Sequence, residues 1–193
     1  MMLEFFIYLD RSMFIFFNQA IANGFFDTIM PAITDWDKTI PGRIIIVIIV
    51  VGLLWKGGRT GRTVIFLLIP TIMLSDQLNS SFLKNIFARP RPCHLIEGAT
   101  IIENVRLLVA CGSGYSFPSS HAVNSFAIAT IFTAHYNKYW WIFGIYATVV
   151  SFSRIYVGVH FPFDVVAGAI VGILCALFVY ILWLYVSKKI IRN

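Results

Sequence analysis

The sequence predicts an all-α integral membrane bundle of five or six transmembrane helices, with amphipathic helices at its N-terminus. Two observations predict this class: 59% of the residues are hydrophobic, and only 12% are charged. A soluble domain of 193 residues has too little interior to bury so much apolar surface. Lipid is therefore the expected solvent, and the 16% aromatic content suits lipid-facing and interfacial surfaces.

Apolar runs along the chain define the expected spans, which are helical because backbone amides in hydrocarbon must be satisfied within the segment. The runs cover residues 44–55 (extending toward residue 39), 63–83, 119–136, 139–154 and 162–186. Residues 1–36 differ, because charged and amide side chains recur among their Phe and Ile residues. We interpret this segment as two amphipathic helices in the membrane interface, separated near Asn23 and Gly24. A sixth span within this segment is the alternative.

Basic residues predict the orientation of the bundle. They lie in two short connections and near the end of the chain: Lys56, Arg59, Arg62, Lys138, Lys188, Lys189 and Arg192. By the positive-inside rule these places are cytoplasmic, and they account for much of the net charge of +6 without a nucleic acid partner. The opposite face receives the outer loop, residues 84–118, and the turn at residues 154–161. We treat residues 1–193 as one membrane-embedded domain.

Polar residues of three segments converge on that outer face. The segments are KNIFARPRP (Lys84, Arg89, Arg91), SFPSSHA (Ser119, Ser120, His121) and SRIYVGVHFPFD (Ser153, Arg154, His160, Asp164). Together they supply several permanent cations, two imidazoles and one carboxylate. Because guanidinium groups pair well with phosphate oxygens, this combination predicts a phosphate-binding pocket.

Two prolines predict the local geometry of this pocket. Pro118 is suited to open a helix, which would leave the amides of Ser119, Ser120 and His121 free to bind an anion. Pro162 is expected to start the last helix in the same manner, with Asp164 in its first turn and within reach of His160. A carboxylate bonded to one ring nitrogen leaves the other nitrogen free to attack.

These motifs resemble the type 2 phosphatidic acid phosphatase superfamily, which also contains bacterial acid phosphatases and vanadium haloperoxidases. The resemblance covers about residues 75–170 and consists of K-x6-RP (Lys84, Arg91, Pro92), PSxH (Pro118, Ser119, His121) and SR-x5-H-x3-D (Ser153, Arg154, His160, Asp164). One departure is Ser120, which occupies a position where many members carry Gly.

The resemblance implies a role for each matched residue. His160 would be the nucleophile that forms a phosphohistidine, Asp164 would orient it, and His121 would protonate the leaving oxygen and then activate water. The substrate phosphate would be held by Lys84, Arg91, Arg154, Ser119 and Ser120. We expect no metal or other cofactor, because three fixed cations supply the positive charge.

The expected function is hydrolysis of a phosphate monoester or pyrophosphate on a membrane lipid, at the periplasmic or outer face of a bacterial inner membrane. Phosphatidylglycerophosphate, phosphatidate, undecaprenyl pyrophosphate and lipid A 1-phosphate all fit this description. The expected partners are the lipid substrate and the bilayer, without an obligate protein partner. One alternative is a lipid phosphotransferase that uses the same phosphohistidine. Another is a lipid or anion transporter, whose activity would survive His160→Ala.

Four further features of the sequence lead to predictions or to alternatives. Cys93 and Cys111 both lie in the outer loop, where a periplasmic location would allow them to form a disulfide. Arg89 and Arg106 either bind a second phosphate or face water and lipid headgroups. The spacing of Asp76, Ser80 and Lys84 predicts that they share a helix face toward the bundle interior. We expect Asp76 to bond to a neighbouring helix, and contact with substrate is the alternative. Gly168 and Gly172 are expected to allow close helix packing.

Overall fold

The structure is a computed structural model that describes residues 1–96 and 99–192. Its helices are α1 (Met2–Ile15), α2 (Gly24–Thr34), α3 (Ile40–Trp55), α4 (Gly58–Asp76), α5 (Lys84–Phe87), α6 (Ser120–His135), α7 (Trp140–Tyr156) and α8 (Pro162–Arg192). Two π-helical segments, Phe16–Ala20 and Gln77–Leu83, continue α1 and α4. Strands β1 (Leu95–Ile96) and β2 (Ala99–Thr100) form a small antiparallel hairpin. All other regular secondary structure in the described chain is helical, while most of the outer loop is irregular. Residues 97, 98 and 193 lie outside the described chain.

Helices occupy the positions that the apolar pattern predicted. Each predicted span coincides with one of α3, α4, α6, α7 and α8. The N-terminal segment forms α1 and α2, and Asn23 separates them by capping α2. The side chain of Asn23 accepts a hydrogen bond from the amide of Phe26 at 3.0 Å. The predicted break near Asn23 and Gly24 is confirmed.

The exterior of the bundle is strongly apolar. By length and composition, two of the described helices are able to cross a membrane, Gly58–Phe87 and Pro162–Lys189, and Ile40–Trp55 is a shorter apolar helix. Large apolar side chains of α3 and α8 are exposed, including Ile44, Val47, Ile48, Phe178 and Ile181. Exposed apolar surface of this extent suits contact with lipid. The number of spans stays a prediction.

Helix α6 lies at the centre of the bundle and packs closely against α8. A Cβ atom at Gly168 would lie 2.7 Å from the carbonyl oxygen of Ser119, and one at Gly172 would lie 2.1 Å from that of Val123. Only a hydrogen atom fits at either place, so the prediction that this glycine pair allows close packing is confirmed. Beside this contact lies a core of buried side chains: Val64, Leu67, Ala127, Ile131, Ala176 and Val179.

A disulfide cross-links the outer loop internally, and Asn18 fixes the loop to the bundle. The disulfide joins Cys93 to Cys111, which is the pairing that the sequence raised as a hypothesis. The Asn18 side chain donates to the carbonyl oxygens of Arg106 and Tyr156, at 2.8 Å each. It also accepts from the amide of Arg106 at 2.8 Å. These bonds hold the loop beside the turn that follows α7.

The predicted interior face at the end of α4 is wrong by one residue. The buried polar side chains there are Thr71, Ser75 and Asn79, whereas Asp76 and Ser80 are exposed. Contact with α6 explains the difference, because Asn79 bonds to Ser120 of that helix at 2.9 Å. A spacing of four residues does not identify which of two adjacent stripes faces inward. Asp76 does contact a neighbouring helix as predicted, since it accepts from Asn124 at 3.2 Å.

Candidate active site

His160 lies in the turn between α7 and α8. Gly158 shapes this turn, because its φ is +89° and a Cβ atom there would lie 2.5 Å from the carbonyl oxygen of Arg106. The amides of Val159 and His160 both donate to the carbonyl oxygen of Arg154, at 3.2 Å each. His160 is 1% exposed. The backbone of the turn therefore fixes the position of a fully enclosed imidazole.

Asp164 lies directly behind His160. It is in the first turn of α8, which begins at Pro162 as predicted. Its Oδ2 accepts from the amide of Phe161 at 2.8 Å and lies 3.5 Å from Nδ1 of His160. The hydroxyl of Ser116 donates to the same oxygen and lies 3.4 Å from Nδ1 of His160. Ser116 is thus part of this arrangement, although the sequence analysis did not identify it.

Arg91 determines which nitrogen of His160 presents a lone pair. Nη1 of Arg91 lies 3.2 Å from Nε2 of His160. Because a guanidinium group has only donors, Nε2 acts as the acceptor and the ring proton lies on Nδ1, toward Asp164 and Ser116. Burial lowers the pKa of His160 to about 4. The ring is therefore neutral at pH 7, with its nucleophilic lone pair on Nε2.

Carbonyl groups of the outer loop position two of the predicted phosphate-binding cations. Nζ of Lys84 donates to the carbonyl oxygen of Tyr115 at 2.9 Å. Nε of Arg91 donates to the carbonyl oxygen of Gly114 at 2.8 Å, and the Arg91 residue is 8% exposed. Both cations retain N–H groups for an anion, since each of these bonds uses one donor.

Arg154 is held from the other side of the site, by the last residue of α2. Its Nη1 donates to the hydroxyl of Thr34 at 2.9 Å. Its Nε is buried and has no hydrogen-bond partner among the residues that the structure describes. Leaving a buried donor unpaired is costly, so this N–H is available to an anionic oxygen.

The N-terminus of α6 differs from the prediction. The helix begins at Ser120 rather than at Pro118. The amide of Ser119 is not free for an anion, because it donates to the carbonyl oxygen of Asp164 at 2.9 Å across the close contact of α6 with α8. Ser119 is fully buried. By contrast, the hydroxyl oxygen of Ser120 accepts from Asn79, which leaves the hydroxyl proton for a ligand.

One cavity of about 300 Å³ brings the predicted residues together. Its walls are formed by Lys84, Arg91, Ser120, His121, Arg154 and His160, together with Asp35, Lys38, Val109, Ala110 and Gly112. Ser119, predicted to contact substrate, lies outside this wall. In the part of the chain that the structure describes, no group of three or more His, Cys, Asp or Glu side chains is arranged to hold a metal ion. The cavity therefore presents cations and imidazoles from distant segments to one small anion.

Asp35 and Lys38 are cavity residues that the sequence analysis missed. They lie between α2 and α3 and form an ion pair of 2.5 Å. Oδ1 of Asp35 also lies 3.9 Å from Nε2 of His121 and 3.8 Å from Nη1 of Arg154. In the sequence, these two residues belong to a short charged run between two apolar segments, which could have identified them as candidates.

Arg89, for which a second phosphate or contact with water and headgroups had been left open, is paired with two carboxylates. Its Nη1 contacts Oδ1 of Asp164 at 2.7 Å, and its Nη2 contacts Oδ2 of Asp10 at 2.6 Å. Asp10 in turn accepts from the amide of Phe163 at 2.8 Å. A charged residue in an apolar run needs a partner, and Asp10 carried that signal in the sequence.

An apolar groove of about 1450 Å³ adjoins the cavity. It runs between α2, α3, α4, α6 and α7 and shares Lys38, Ser120 and His121 with the wall of the cavity. Its lining is dominated by aliphatic and aromatic side chains, such as Ile46, Leu68, Ile128 and Phe143. The cavity and the groove together can hold a molecule with an anionic head and a long apolar body.

Comparison with known proteins gives matches over most of the chain. The family model described as PAP2 superfamily matches residues 65–188. The lipid A 4′-phosphatase of Bacteroides thetaiotaomicron is 35% identical over 177 residues, which cover 89% of this chain and 75% of that protein.

Two crystal structures are similar to the whole bundle. Aquifex aeolicus LpxE superposes with a TM-score of 0.70 at 28% identity, covering 88% of this chain and 93% of that chain. The transmembrane PAP2-type phosphatidylglycerolphosphate phosphatase from Bacillus subtilis superposes with a TM-score of 0.66 at 25% identity, covering 95% and 86%. Both matches cover more of the chain than the three motifs do.

Proposed function

The chain belongs to the PAP2 superfamily, and we propose that it is a metal-independent phosphatase of a membrane lipid that works through a phosphohistidine on His160. The observation that carries the proposal is the shared cavity, in which Nε2 of His160 faces Arg91 and the cavity wall also contains Lys84, His121 and Arg154. Phosphoryl transfer needs such a nucleophile and fixed positive charge around the transferred group.

In the first step, Nε2 of His160 attacks phosphorus while the bond from phosphorus to the lipid oxygen breaks. His121 gives its proton to that leaving oxygen. The positive charge that develops on the His160 ring is balanced by Asp164, whose Oδ2 lies 3.5 Å from Nδ1. The products of this step are the dephosphorylated lipid and a phosphohistidine.

In the second step, His121 is neutral and takes a proton from water, whose oxygen attacks the same phosphorus. The bond from phosphorus to Nε2 of His160 breaks, and inorganic phosphate leaves with the site returned to its starting protonation. Lys84, Arg91 and Arg154 bind the equatorial oxygens in both steps. Because these cations supply fixed charge, the mechanism has no step that requires a metal ion.

The apolar groove supports a lipid as the substrate. A lipid whose phosphate occupies the cavity would place its chains in the groove, past Lys38 and His121 at the junction. The substrates we propose are phosphatidylglycerophosphate, phosphatidate, undecaprenyl pyrophosphate and lipid A phosphorylated at position 1 or 4′. We include the 4′ position of lipid A because the matched Bacteroides thetaiotaomicron protein is a lipid A 4′-phosphatase.

We also propose the location of the protein. Helices α3, α4, α6, α7 and α8 would span the bacterial inner membrane, with α1 and α2 in the interface or adding a sixth span. The basic residues between α3 and α4 and near the end of α8 favour a cytoplasmic position for those places. The cavity would then open at the periplasmic face, where the disulfide of Cys93 and Cys111 is stable.

Phosphate release from the proposed lipids tests the function. Purified protein in detergent should release inorganic phosphate from at least one of them, with undiminished activity in EDTA. His160→Ala should abolish release. The matched control is His135→Ala, since His135 lies at the opposite end of α6, where it bonds to the carbonyl oxygen of Ile131 at 3.0 Å and packs edge-on against Tyr180 of α8, away from the cavity. No release from any lipid by the wild-type protein, or a strict metal requirement, would contradict the proposal.

A further inference from the structure

Asp10 is a buried charge that the proposed mechanism does not use. It lies on α1, far in sequence from the motifs, and is 1% exposed. A carboxylate in such a place is destabilising unless it is paired and hydrogen-bonded. Both of its oxygens have partners near the site: Oδ1 accepts from the amide of Phe163, and Oδ2 pairs with Arg89.

Arg89 connects Asp10 to the carboxylate behind His160. The two terminal nitrogens of its guanidinium bind different carboxylates, Asp164 at 2.7 Å and Asp10 at 2.6 Å. The face of the guanidinium lies 4.1 Å from the centre of the Phe161 ring. Its plane is therefore fixed by two charged contacts and one aromatic contact.

The two oxygens of Asp164 have different partners, which indicates the role of the contact between Arg89 and Asp164. Oδ1 is bound by Arg89, while Oδ2 faces Ser116, the amide of Phe161 and Nδ1 of His160. Binding of Oδ1 prevents rotation of the carboxylate, so Oδ2 stays directed at the imidazole. Asp10 fixes the other side of Arg89 and, through Phe163, the first turn of α8 that carries Asp164.

We propose that Arg89 and Asp10 are positioning residues, which hold Asp164 and through it His160 in the orientation for attack. This inference rests on the proposed function, because it takes His160 as the nucleophile. It gives α1 a part in the reaction, since a residue of the N-terminal helix determines the geometry of a dyad at the other end of the chain.

Kinetics of Arg89→Gln and Asp10→Asn test the inference on the lipid that the wild-type protein hydrolyses best. Arg89→Gln should lower kcat by about 10- to 100-fold, as is typical for residues that orient a reacting group from behind. KM should change by less than about 3-fold, because Lys84, Arg91 and Arg154 still bind the phosphate. Asp10→Asn should lower kcat by about 3- to 10-fold, and the double variant should be no slower than Arg89→Gln, since both residues act through one contact.

Arg106 and Asp27 provide the matched control. They form another Arg–Asp pair of 2.6 Å that joins the outer loop to α2, and in the described part of the chain neither residue bonds to His160 or Asp164. Arg106→Gln should lower the Tm while leaving kcat of the folded protein within about 2-fold of wild type. If Arg89→Gln does not fold, Arg89→Lys is measured in its place, because an ammonium group cannot bind both carboxylates as a planar fork does.

The outcomes separate this inference from the proposed function. If the wild-type protein releases phosphate and His160→Ala does not, the proposed function is supported. The kcat of the Arg89 variant then decides the inference about positioning. A kcat for the Arg89 variant within about 2-fold of wild type would overturn the inference, as would a loss confined to KM. Equal losses of kcat in Arg89→Gln and Arg106→Gln would also overturn it, because they would indicate a general structural effect.

Discussion

At the scale of single residues, the environment of His160 specifies one protonation state. Its Nδ1 faces Asp164 and Ser116, and its Nε2 faces a guanidinium that can only donate. Full enclosure in the protein adds a strong preference for the neutral ring. A buried imidazole with this arrangement is prepared for nucleophilic attack and has no need to lose a proton first.

The low pKa of His160 predicts a pH-dependent stability. The folded protein has a pKa of about 4 at His160, whereas an unfolded chain has about 6.5. The unfolded chain therefore binds a proton first as the pH falls, and the folded state loses about 2 kcal/mol between pH 7 and pH 5 from this group.

Thermal unfolding in detergent at these two pH values measures the effect. The drop in Tm between pH 7 and pH 5 should be larger for the wild-type protein than for His160→Gln, in which the titrating group is absent while all others remain. Equal drops in the two proteins would show that the folded state does not resist protonation of His160.

Arg154 is predicted to tolerate no conservative replacement. One of its nitrogens bonds to Thr34, and another is buried without a partner among the described residues and is available to the phosphate. Arginine therefore serves both positions with one side chain. Arg154→Lys keeps the charge but has a single nitrogen, and kcat/KM should fall by about 100-fold. The control is Arg59→Lys, an exposed position at the start of α4 that should retain full activity. A value for Arg154→Lys within about 3-fold of wild type would contradict the assigned role.

At the scale of secondary structure elements, the contact between α6 and α8 positions both histidines. His121 is near the N-terminus of α6, His160 directly precedes α8, and the glycines of α8 let the two helices approach closely. The amide of Ser119 closes this contact by donating to the carbonyl oxygen of Asp164. Separation of these helices would therefore separate the proposed acid from the proposed nucleophile.

A glycine comparison tests this packing. Gly172→Ala places a methyl group 2.1 Å from the carbonyl oxygen of Val123, while nothing lies within 4 Å of a Cβ atom at Gly144 of α7. We expect Gly172→Ala to destabilise the protein by about 1–3 kcal/mol. Gly144→Ala should be neutral or slightly stabilising, because Ala favours helix. The Tm values of the two variants in detergent measure the difference, and equal Tm values would show that α6 and α8 do not pack this closely.

Local patterns in the sequence predicted most of these elements. Apolar runs located the long helices, and Pro162 located the start of α8. The start of α6 was misplaced because the Ser119 amide is used by a residue of α8, which no local pattern reveals. For the same reason, the buried stripe of α4 was assigned one residue away from the side chains that bond to α6.

At the scale of the whole molecule, the N-terminal third completes the site. The motifs located most of the residues that line the cavity, since their types and spacing are specific. They gave no sign of Asp10, Asp35 and Lys38, because Asp10 pairs with Arg89 and Asp35 lies near His121 and Arg154, all far along the chain, while Lys38 pairs with Asp35. Sequence reasoning placed the first segment in the membrane interface by its amphipathic character. The structure shows that two of its carboxylates, Asp10 and Asp35, contact residues at the site, which only the tertiary fold determines.

The central claim is that phosphate is transferred to Nε2 of His160, and trapping that intermediate tests it most directly. His121→Ala should be mixed with an aryl phosphate, whose leaving oxygen needs no protonation, and stopped rapidly in alkali, where phosphohistidine survives. Without a base to activate water, the intermediate should accumulate, and mass spectrometry should find a phosphoryl group on the peptide that contains His160. If the wild-type protein turns over but the variant carries no phosphoryl group on His160, or carries one on another residue, the mechanism is contradicted.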